Sequence, residues 1–279
     1  MKQQIKEFVT MGDLVNYVTN TPIHPSNVDG RRSSRDTTRP GFHGTDNYDE
    51  ACKLARDGWP EGLEKLTSKL DLCLGKGKSR YRVNDVAGDY PDIGRFLSGV
   101  PVCMSRRVID QGRKRPIIDI IMNVSYSGNT SQDAIINYGA AVASAVDELE
   151  TAGFRVNIQI GCMVKGNETG TLYGCLVNAK TAGESLDLDR LIFFIAHPSF
   201  FRRFGFGYFE IAMNYDELGY GYGKVGTMDQ KDLGQETIFF PGSTTLNNDC
   251  RSLDKARDYV KGIIRGSRPD LFNDVSEAA

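Results

Sequence analysis

Three groups of basic residues within the first 115 positions carry the clearest chemical signal in this sequence. Their members are Arg31, Arg32, Arg35 and Arg39; Lys76, Lys78, Arg80 and Arg82; and Arg106, Arg107, Arg113, Lys114 and Arg115. Cationic side chains along a path contact phosphates, and Tyr81, inside the second group, offers a ring on which a base can stack. The combination is typical of proteins that bind single-stranded nucleic acid.

The distribution of charge supports this interpretation. The net charge is −2, yet residues 1–115 hold 20 Lys and Arg against 15 Asp and Glu, while the remainder holds 14 against 21. A chain polarised in this way can bind a polyanion with its basic part. The sequence has no recognition helix, zinc finger or basic zipper, so we expect binding of single-stranded DNA without sequence reading. The alternative is ordinary surface charge with no ligand. For the run at 200–209, we predict instead that Arg202 and Arg203 lie at the edge of an aromatic core.

A second candidate is the polar turn after the apolar run that begins at residue 117. Asn123, Ser125, Ser127 and Thr130 lie in this turn, and ligands of open α/β sheets bind beyond the carboxyl ends of strands. The pattern resembles the DxSxS metal-adhesion motif of von Willebrand A domains, with Asn123 in place of the aspartate. Because divalent ions prefer anionic oxygens, we predict no metal here, and a metal site at Asn123, Ser125 and Ser127 is the alternative. The alternative function is a von Willebrand A-like interaction domain that docks a protein partner through this turn.

Enzymatic chemistry has little support. The histidines are His24, His43 and His197, and neither a GxSxG nor an HExxH motif occurs. The GKGKS segment at 75–79 precedes a predicted strand, whereas a phosphate-binding loop joins a strand to a following helix. The six cysteines form no CxxC pair, which argues against zinc and disulfides. We therefore expect no catalytic residue and no cofactor.

The elements that position these residues are organised around a βαβ unit. An apolar run at 117–124 is followed by a helix of about six turns and a second apolar run at 156–160. The helix presents one apolar stripe, made of Ile135, Tyr138, Val142, Val146 and Leu149. This pattern predicts an α/β fold in which helices flank a mixed or mostly parallel central sheet, distantly von Willebrand A-like, with an N-terminal extension of helices and basic loops.

The remaining pattern divides the chain into three parts. Residues 1–47 comprise an N-terminal segment and a basic, flexible arm at 21–47. Residues 48–115 comprise a helical pair and a basic Gly/Pro-rich segment. Residues 116–279 form the α/β core, which makes one unit with 48–115. Further elements are predicted at 48–57, 61–74, 170–180, 186–196, 237–240 and 251–265. Since no apolar run approaches the roughly 20 residues that cross a bilayer, we expect a soluble, intracellular protein.

Four segments carry a resemblance to a known family. They are GWPEG at 58–62, DVAGDYPDIGRFLSGVPVCM at 85–104, the βαβ unit, and LDLDRLIFFIAHPSFFRRFGF at 186–206. The chain resembles a family of uncharacterised phage proteins, and its layout is similar to the single-stranded-DNA-binding RNA polymerase cofactors of podophages that carry a virion RNA polymerase. The resemblance implies binding to melted promoter DNA, recruitment of a phage RNA polymerase, and a place in the cytoplasm of the infected bacterial host. It leaves open whether the chain forms a homo-oligomer.

Overall fold

A mixed six-stranded sheet with flanking helices forms the centre of the protein, and this confirms the predicted α/β class. The structure is a computed structural model. It describes residues 2–28, 33–63, 72, 81–87, 90–108, 116–219, 221–228, 233–234 and 236–272.

The sheet has the strand order β1-β7-β6-β5-β9, and β8 pairs with the end of β6. The strands of the described residues are β1 (Gln3–Phe8), β2 (Tyr81–Asp85), β3 (Tyr90–Pro91), β4 (Met104–Val108), β5 (Ile117–Asn123), β6 (Arg155–Lys165), β7 (Leu172–Lys180), β8 (Lys224–Val225) and β9 (Ile238–Phe240). The pairs β1/β7, β5/β6 and β5/β9 are parallel, whereas β6/β7 and β6/β8 are antiparallel. Strands β2, β4 and β3 form a second, antiparallel sheet of three strands, the small sheet.

The helices lie between and beside these strands. They are α1 (Met11–Asn20), α2 (Pro40–His43), α3 (Tyr48–Asp57), α4 (Pro60–Leu63), α5 (Ile93–Leu97), α6 (Gln132–Thr151), α7 (Leu188–Ala196), α8 (Phe206–Ala212), α9 (Tyr215–Leu218), α10 (Leu246–Asp249) and α11 (Leu253–Ser267). A π-helical turn, Phe200–Gly205, leads directly into α8. Among the described residues, no helix is long and apolar enough to span a bilayer.

The predicted βαβ unit is present as β5, α6 and β6. The two strands pair in parallel from Ile117 opposite Arg155 to Asn123 opposite Gly161. The Ser131 hydroxyl accepts a hydrogen bond from the Ala134 N–H and so caps α6, as expected for this residue type. Strand β7 and helices α3, α7 and α11 also lie where the sequence predicts them, and the predicted helix at 61–74 lies largely outside the described residues.

The core lies between the sheet and its helices. Ile118, Ile120 and Met122 of β5 are buried, whereas Ile117 on the alternate face is 54% exposed. Strand β5 is therefore interior to the sheet, as its composition indicates, although only one of its faces is fully covered. The absence of a side chain at Gly139 lets α6 approach α7 closely, because a Cβ there would lie 2.4 Å from the Ala196 Cα.

Candidate nucleic-acid interface

A cleft of about 490 Å³ opens at the edge of the main sheet where the parallel strands β5 and β9 end. Residues of the arm, the turn after β5, β6, the π-helical turn, α8, β8 with the loop before it, and the turn after β9 line the cleft. They are Arg39, Phe42, Tyr126, Ser127, Gly128, Val164, Phe201, Phe206, Gly221, Tyr222, Gly223, Lys224, Val225 and Thr244. The carboxyl edge of parallel strands is the usual ligand position in open α/β sheets. The volume falls in the range of roughly 300–1,000 Å³ that is typical of small-molecule sites.

Two exposed cationic side chains line this cleft. Arg39 comes from the arm and Lys224 from β8. Within the part of the chain that the structure describes, neither forms an ion pair with a carboxylate. Strand β8 also sets Lys224 directly opposite Lys165 of β6. Lys165, unlike Lys224, is not one of the residues that line the cleft.

Aromatic rings form the apolar wall of the cleft. The Tyr222 and Phe206 rings are stacked, with centroids 4.0 Å apart and an interplanar angle of 11°. Tyr222 is half-buried, so part of it still faces solvent. The Phe42 ring is also half-buried, and the Arg202 guanidinium carbon lies 4.2 Å from its centroid. The cleft thus combines ring surface with positive charge.

The backbone at Tyr222 is in an unusual conformation. Its φ of +59° lies in the left-handed region, where a residue other than glycine, asparagine or aspartate is strained. The neighbouring Gly223 also has positive φ, at +76°, and a Cβ there would lie 2.7 Å from the Lys165 carbonyl oxygen. Strained positions that the surrounding structure maintains are concentrated at functional sites. At Tyr222, the left-handed backbone holds the aromatic ring in the wall of the cleft.

Two buried arginines hold the arm on the core. The Arg203 guanidinium is fully buried and donates hydrogen bonds to the carbonyl oxygens of Ser34 (2.9 Å), Thr37 (2.9 Å) and Thr45 (3.0 Å). Arg202 donates to the carbonyl oxygens of Phe42 and Thr130, both at 2.7 Å. Burial lowers the Arg202 pKa to about 10. As the sequence predicts for 200–209, this run belongs to the core, and its arginines position the arm residues of the cleft.

Glu210 connects the arm to the loop that carries Tyr222. Its buried carboxylate accepts hydrogen bonds from the Ser34 N–H (2.8 Å), the Ser34 hydroxyl (3.1 Å) and the Tyr222 hydroxyl (2.5 Å). Desolvation by burial raises the Glu210 pKa above its usual value. The carboxylate fixes two walls of the cleft relative to each other.

The turn after β5 is organised by its own polar side chains. Asn123 and Ser125 are fully buried. The Asn123 amide donates to the Gly226 carbonyl oxygen (2.7 Å), and the Ser125 hydroxyl oxygen accepts from the Met163 N–H (2.6 Å). Only Ser127 of the three alternative metal ligands lines the cleft. No group of three or more His, Cys, Asp or Glu in the described ranges could hold a metal ion.

The predicted basic residues lie in several places. In the small sheet, Arg82 is directly opposite Arg107 and Val83 is opposite Arg106, so one residue of the second basic group and two of the third share one sheet. Arg35 instead donates to the carbonyl oxygens of Thr19 (3.1 Å) and Thr21 (3.4 Å) at the end of α1. Tyr81 begins β2. Arg31, Arg32, Lys76, Lys78, Arg80, Arg113, Lys114 and Arg115 lie outside the described residues.

Three residues of the cleft were not predicted as site residues, because the prediction was based on clusters of charge. Lys224 and Tyr222 belong to the segment YGYGK at 220–224, and Phe206 belongs to a run that the sequence assigns to the core. A signal existed in the first case, because a tyrosine between two glycines followed by a lysine is unusual for a solvent-facing loop. No local signal places that segment beside Arg39, which is far away in sequence.

Two of the three histidines lie in the core, whereas the half-buried His24 has its Nδ1 atom 2.8 Å from the Ser26 hydroxyl oxygen. His43 and His197 are buried, and burial lowers the pKa of each to about 4; the nearby Arg203 charge adds to the effect at His43. The His197 ring stacks on Phe193 and contacts the edge of Trp59. His43 and His197 thus serve as neutral packing residues at this point of the fold.

Fold and site together define an α/β protein with a basic, aromatic cleft at the carboxyl edge of its main sheet. The chain belongs to the family described as a domain of unknown function, DUF7192, whose model matches residues 2–264. No curated protein and no solved structure matches the chain. The family description names neither a source nor an activity, so the resemblance to phage proteins stays a prediction.

Proposed function

We propose that this protein binds single-stranded DNA without reading its sequence. The observation that carries the proposal is the cleft in which Arg39 and Lys224 lie beside the half-buried rings of Phe42 and Tyr222. Single-strand binders combine cations that follow the backbone with rings on which bases stack. A duplex cannot present an unstacked base to such a cleft.

The small sheet supports the same proposal. Basic residues that lie more than twenty positions apart in sequence belong to paired strands of this sheet, with Arg82 opposite Arg107. Arginine is a residue type that contacts phosphates. We therefore include the small sheet in the proposal as a second contact region for the strand.

A finer version of the function rests on the family resemblance. By analogy with Drc, the podophage cofactor, we propose that the protein binds locally melted promoter DNA and recruits a phage RNA polymerase in the cytoplasm of the infected host. Its support is the set of resembling segments between residues 58 and 206. Pull-down of the phage polymerase by the tagged full chain, with and without a bubble promoter, tests this version separately.

The first experiment measures fluorescence anisotropy of a labelled oligothymidylate, with the corresponding duplex as competitor, at low and high salt. We expect preferential binding of the single strand and a slope of log affinity against log salt of about −0.7 for each phosphate contacted. Equal affinity for both forms, or no binding to either, would contradict the proposal.

The contribution of the small sheet is measured with Arg82→Glu combined with Arg107→Glu. We expect weaker binding and a shallower salt slope, because two phosphate contacts become repulsive. Arg251→Glu combined with Lys255→Glu, at exposed positions before and within α11, is the matched control for a general change of charge. Equal affinities of the double variant and the control would remove the small sheet from the interface.

A further inference from the structure

Between residues 86 and 102 the protein exposes a set of large apolar side chains, which we call the α5 patch. Its members are Val86, Ile93, Phe96, Leu97, Val100 and Val102, each between 37% and 79% exposed. Helix α5, which carries three of them, has no buried residue. Single exposed apolar side chains are common on protein surfaces, but a group of them marks an interaction surface.

The fold gathers these side chains at one end of the small sheet. Asp85 ends β2, Pro91 ends β3, and both are paired with Met104, the first residue of β4. Val86 follows β2 directly, α5 begins two positions after β3, and Val102 lies two positions before β4. The α5 patch therefore lies beyond the ends of three paired strands.

The centre of the α5 patch is one face of α5. Ile93, Phe96 and Leu97 stand at positions i, i+3 and i+4, so their side chains share that face. This spacing is typical of the side on which a surface helix packs against the core, yet all three residues are at least 65% exposed. The Val100 N–H donates to the Arg95 carbonyl oxygen (3.0 Å), which turns the chain back beside the helix. Among the described residues, none covers this face.

Two charged residues of opposite sign accompany the apolar face. Asp92 caps α5 by accepting a hydrogen bond from the Arg95 N–H (3.2 Å), and its other carboxylate oxygen lies 3.8 Å from the Arg95 Nε. The Asp92 and Arg95 side chains are 39% and 48% exposed, and ion pairs at such exposed positions contribute little. Exchange of these partners with those of another molecule therefore costs little. With one acid and one base, the charge pattern of the α5 patch is complementary to itself.

We infer that the α5 patch is an interface between two copies of this chain, related by a two-fold axis. The axis packs the apolar face of α5 on the same face of the second copy and brings each Asp92 towards Arg95 of the other copy. A partner of one dominant charge would meet one unfavourable side chain here, whereas a second copy meets none. Because the patch is small, the dimer is of the weak, transient class. The inference goes beyond DNA binding and does not depend on it.

The apolar contact is tested by sedimentation equilibrium of the full chain up to about 1 mM, where even weak association is detected. We expect wild type to dimerise with rising concentration and Phe96→Gln combined with Leu97→Gln to stay monomeric with unchanged stability to urea, since both side chains are exposed. The matched control is Val9→Gln combined with Val28→Gln, two exposed apolar positions outside the patch, and it should dimerise as wild type does. A monomeric wild type, or a double variant at 96 and 97 that dimerises as strongly as wild type, would overturn the inference.

The exchange of charge is tested with two milder variants, so the inference does not depend on the double substitution. Arg95→Glu leaves only acids beside the apolar face, and Asp92→Asn leaves only the base while keeping a side chain that caps α5. Each variant alone is expected to dimerise about 2- to 30-fold more weakly than wild type, because two ion pairs between the copies are lost. An equimolar mixture restores one of the two pairs and should associate more strongly than either variant alone. A mixture that associates no more strongly than the separate variants would overturn the two-fold pairing.

Discussion

Arginine and lysine serve two different purposes at two depths of this protein. Arg202 and Arg203 are buried and donate to the backbone carbonyl oxygens of Thr130 and Ser34. Arg39 and Lys224 are exposed and line the cleft. The buried pair fixes the arm, and the exposed pair is left available for a ligand. Burial and hydrogen-bond partners, rather than residue type, separate a structural cation from a binding one.

The largest effect is expected from the buried side of this comparison. Arg203→Met removes the guanidinium that donates to the carbonyl oxygens of Ser34, Thr37 and Thr45, of which Ser34 and Thr45 are buried residues. We expect the free energy of unfolding to fall by about 3–5 kcal/mol, measured by urea denaturation. Arg203→Lys should recover part of the loss, since it keeps the charge but not the fork of donors. A loss below about 1 kcal/mol would contradict the assigned role.

A second effect concerns the buried histidines and pH. Because the folded-state pKa values of His43 and His197 are lowered from 6.5 to about 4, the unfolded chain binds protons first as pH falls. Their contribution to stability is therefore complete above pH 6.5 and is lost as pH falls towards 4, by about 3 kcal/mol for each histidine.

The measurement is urea unfolding of wild type and His197→Gln between pH 7 and pH 4. Wild type should lose stability more steeply than the variant over this interval. Glu210 acts in the opposite direction, since a raised carboxyl pKa contributes stability that is present below the usual value of 4.5 and lost as pH rises above it. Parallel curves for the two proteins would show that His197 does not titrate abnormally.

The exposed side of the comparison is tested by charge removal in the cleft. Arg39→Gln and Lys224→Gln are each expected to change the unfolding free energy by less than about 0.5 kcal/mol, as is usual for exposed positions. Each should reduce the slope of log affinity against log salt by about 0.7. Anisotropy titrations over a salt series measure this, with Lys255→Gln as the control. A large loss of stability in either variant would place that residue with the buried group.

The smallest effects on DNA affinity are expected in the turn after β5. Ser125→Ala removes the acceptor for the buried Met163 N–H and should lower the unfolding free energy by about 1–2 kcal/mol without changing DNA affinity. Ser127→Ala, at the cleft, should change stability by less than about 0.5 kcal/mol. If the double substitution abolished capture of a protein partner while DNA binding persisted, the alternative role of this turn in protein docking would gain support.

The sequence by itself determined the architecture. The spacing of apolar residues in α6 and the apolar runs of β5 and β6 are local patterns, and each was sufficient to predict its element. Local periodicity reports which face of an element is buried, because burial repeats with the helix or strand period. The α/β class and the βαβ unit follow from those patterns alone.

Only the tertiary structure decided which polar residues meet. Arg39 and Lys224 are 185 positions apart, and they line one cleft because Arg202 and Arg203 hold the arm while β8 pairs with β6. The same packing places Asn123 and Ser125 in internal hydrogen bonds. In the sequence, these two residues were candidates for ligand binding. Contacts between distant segments depend on the whole arrangement of layers, and no local pattern of residues encodes them.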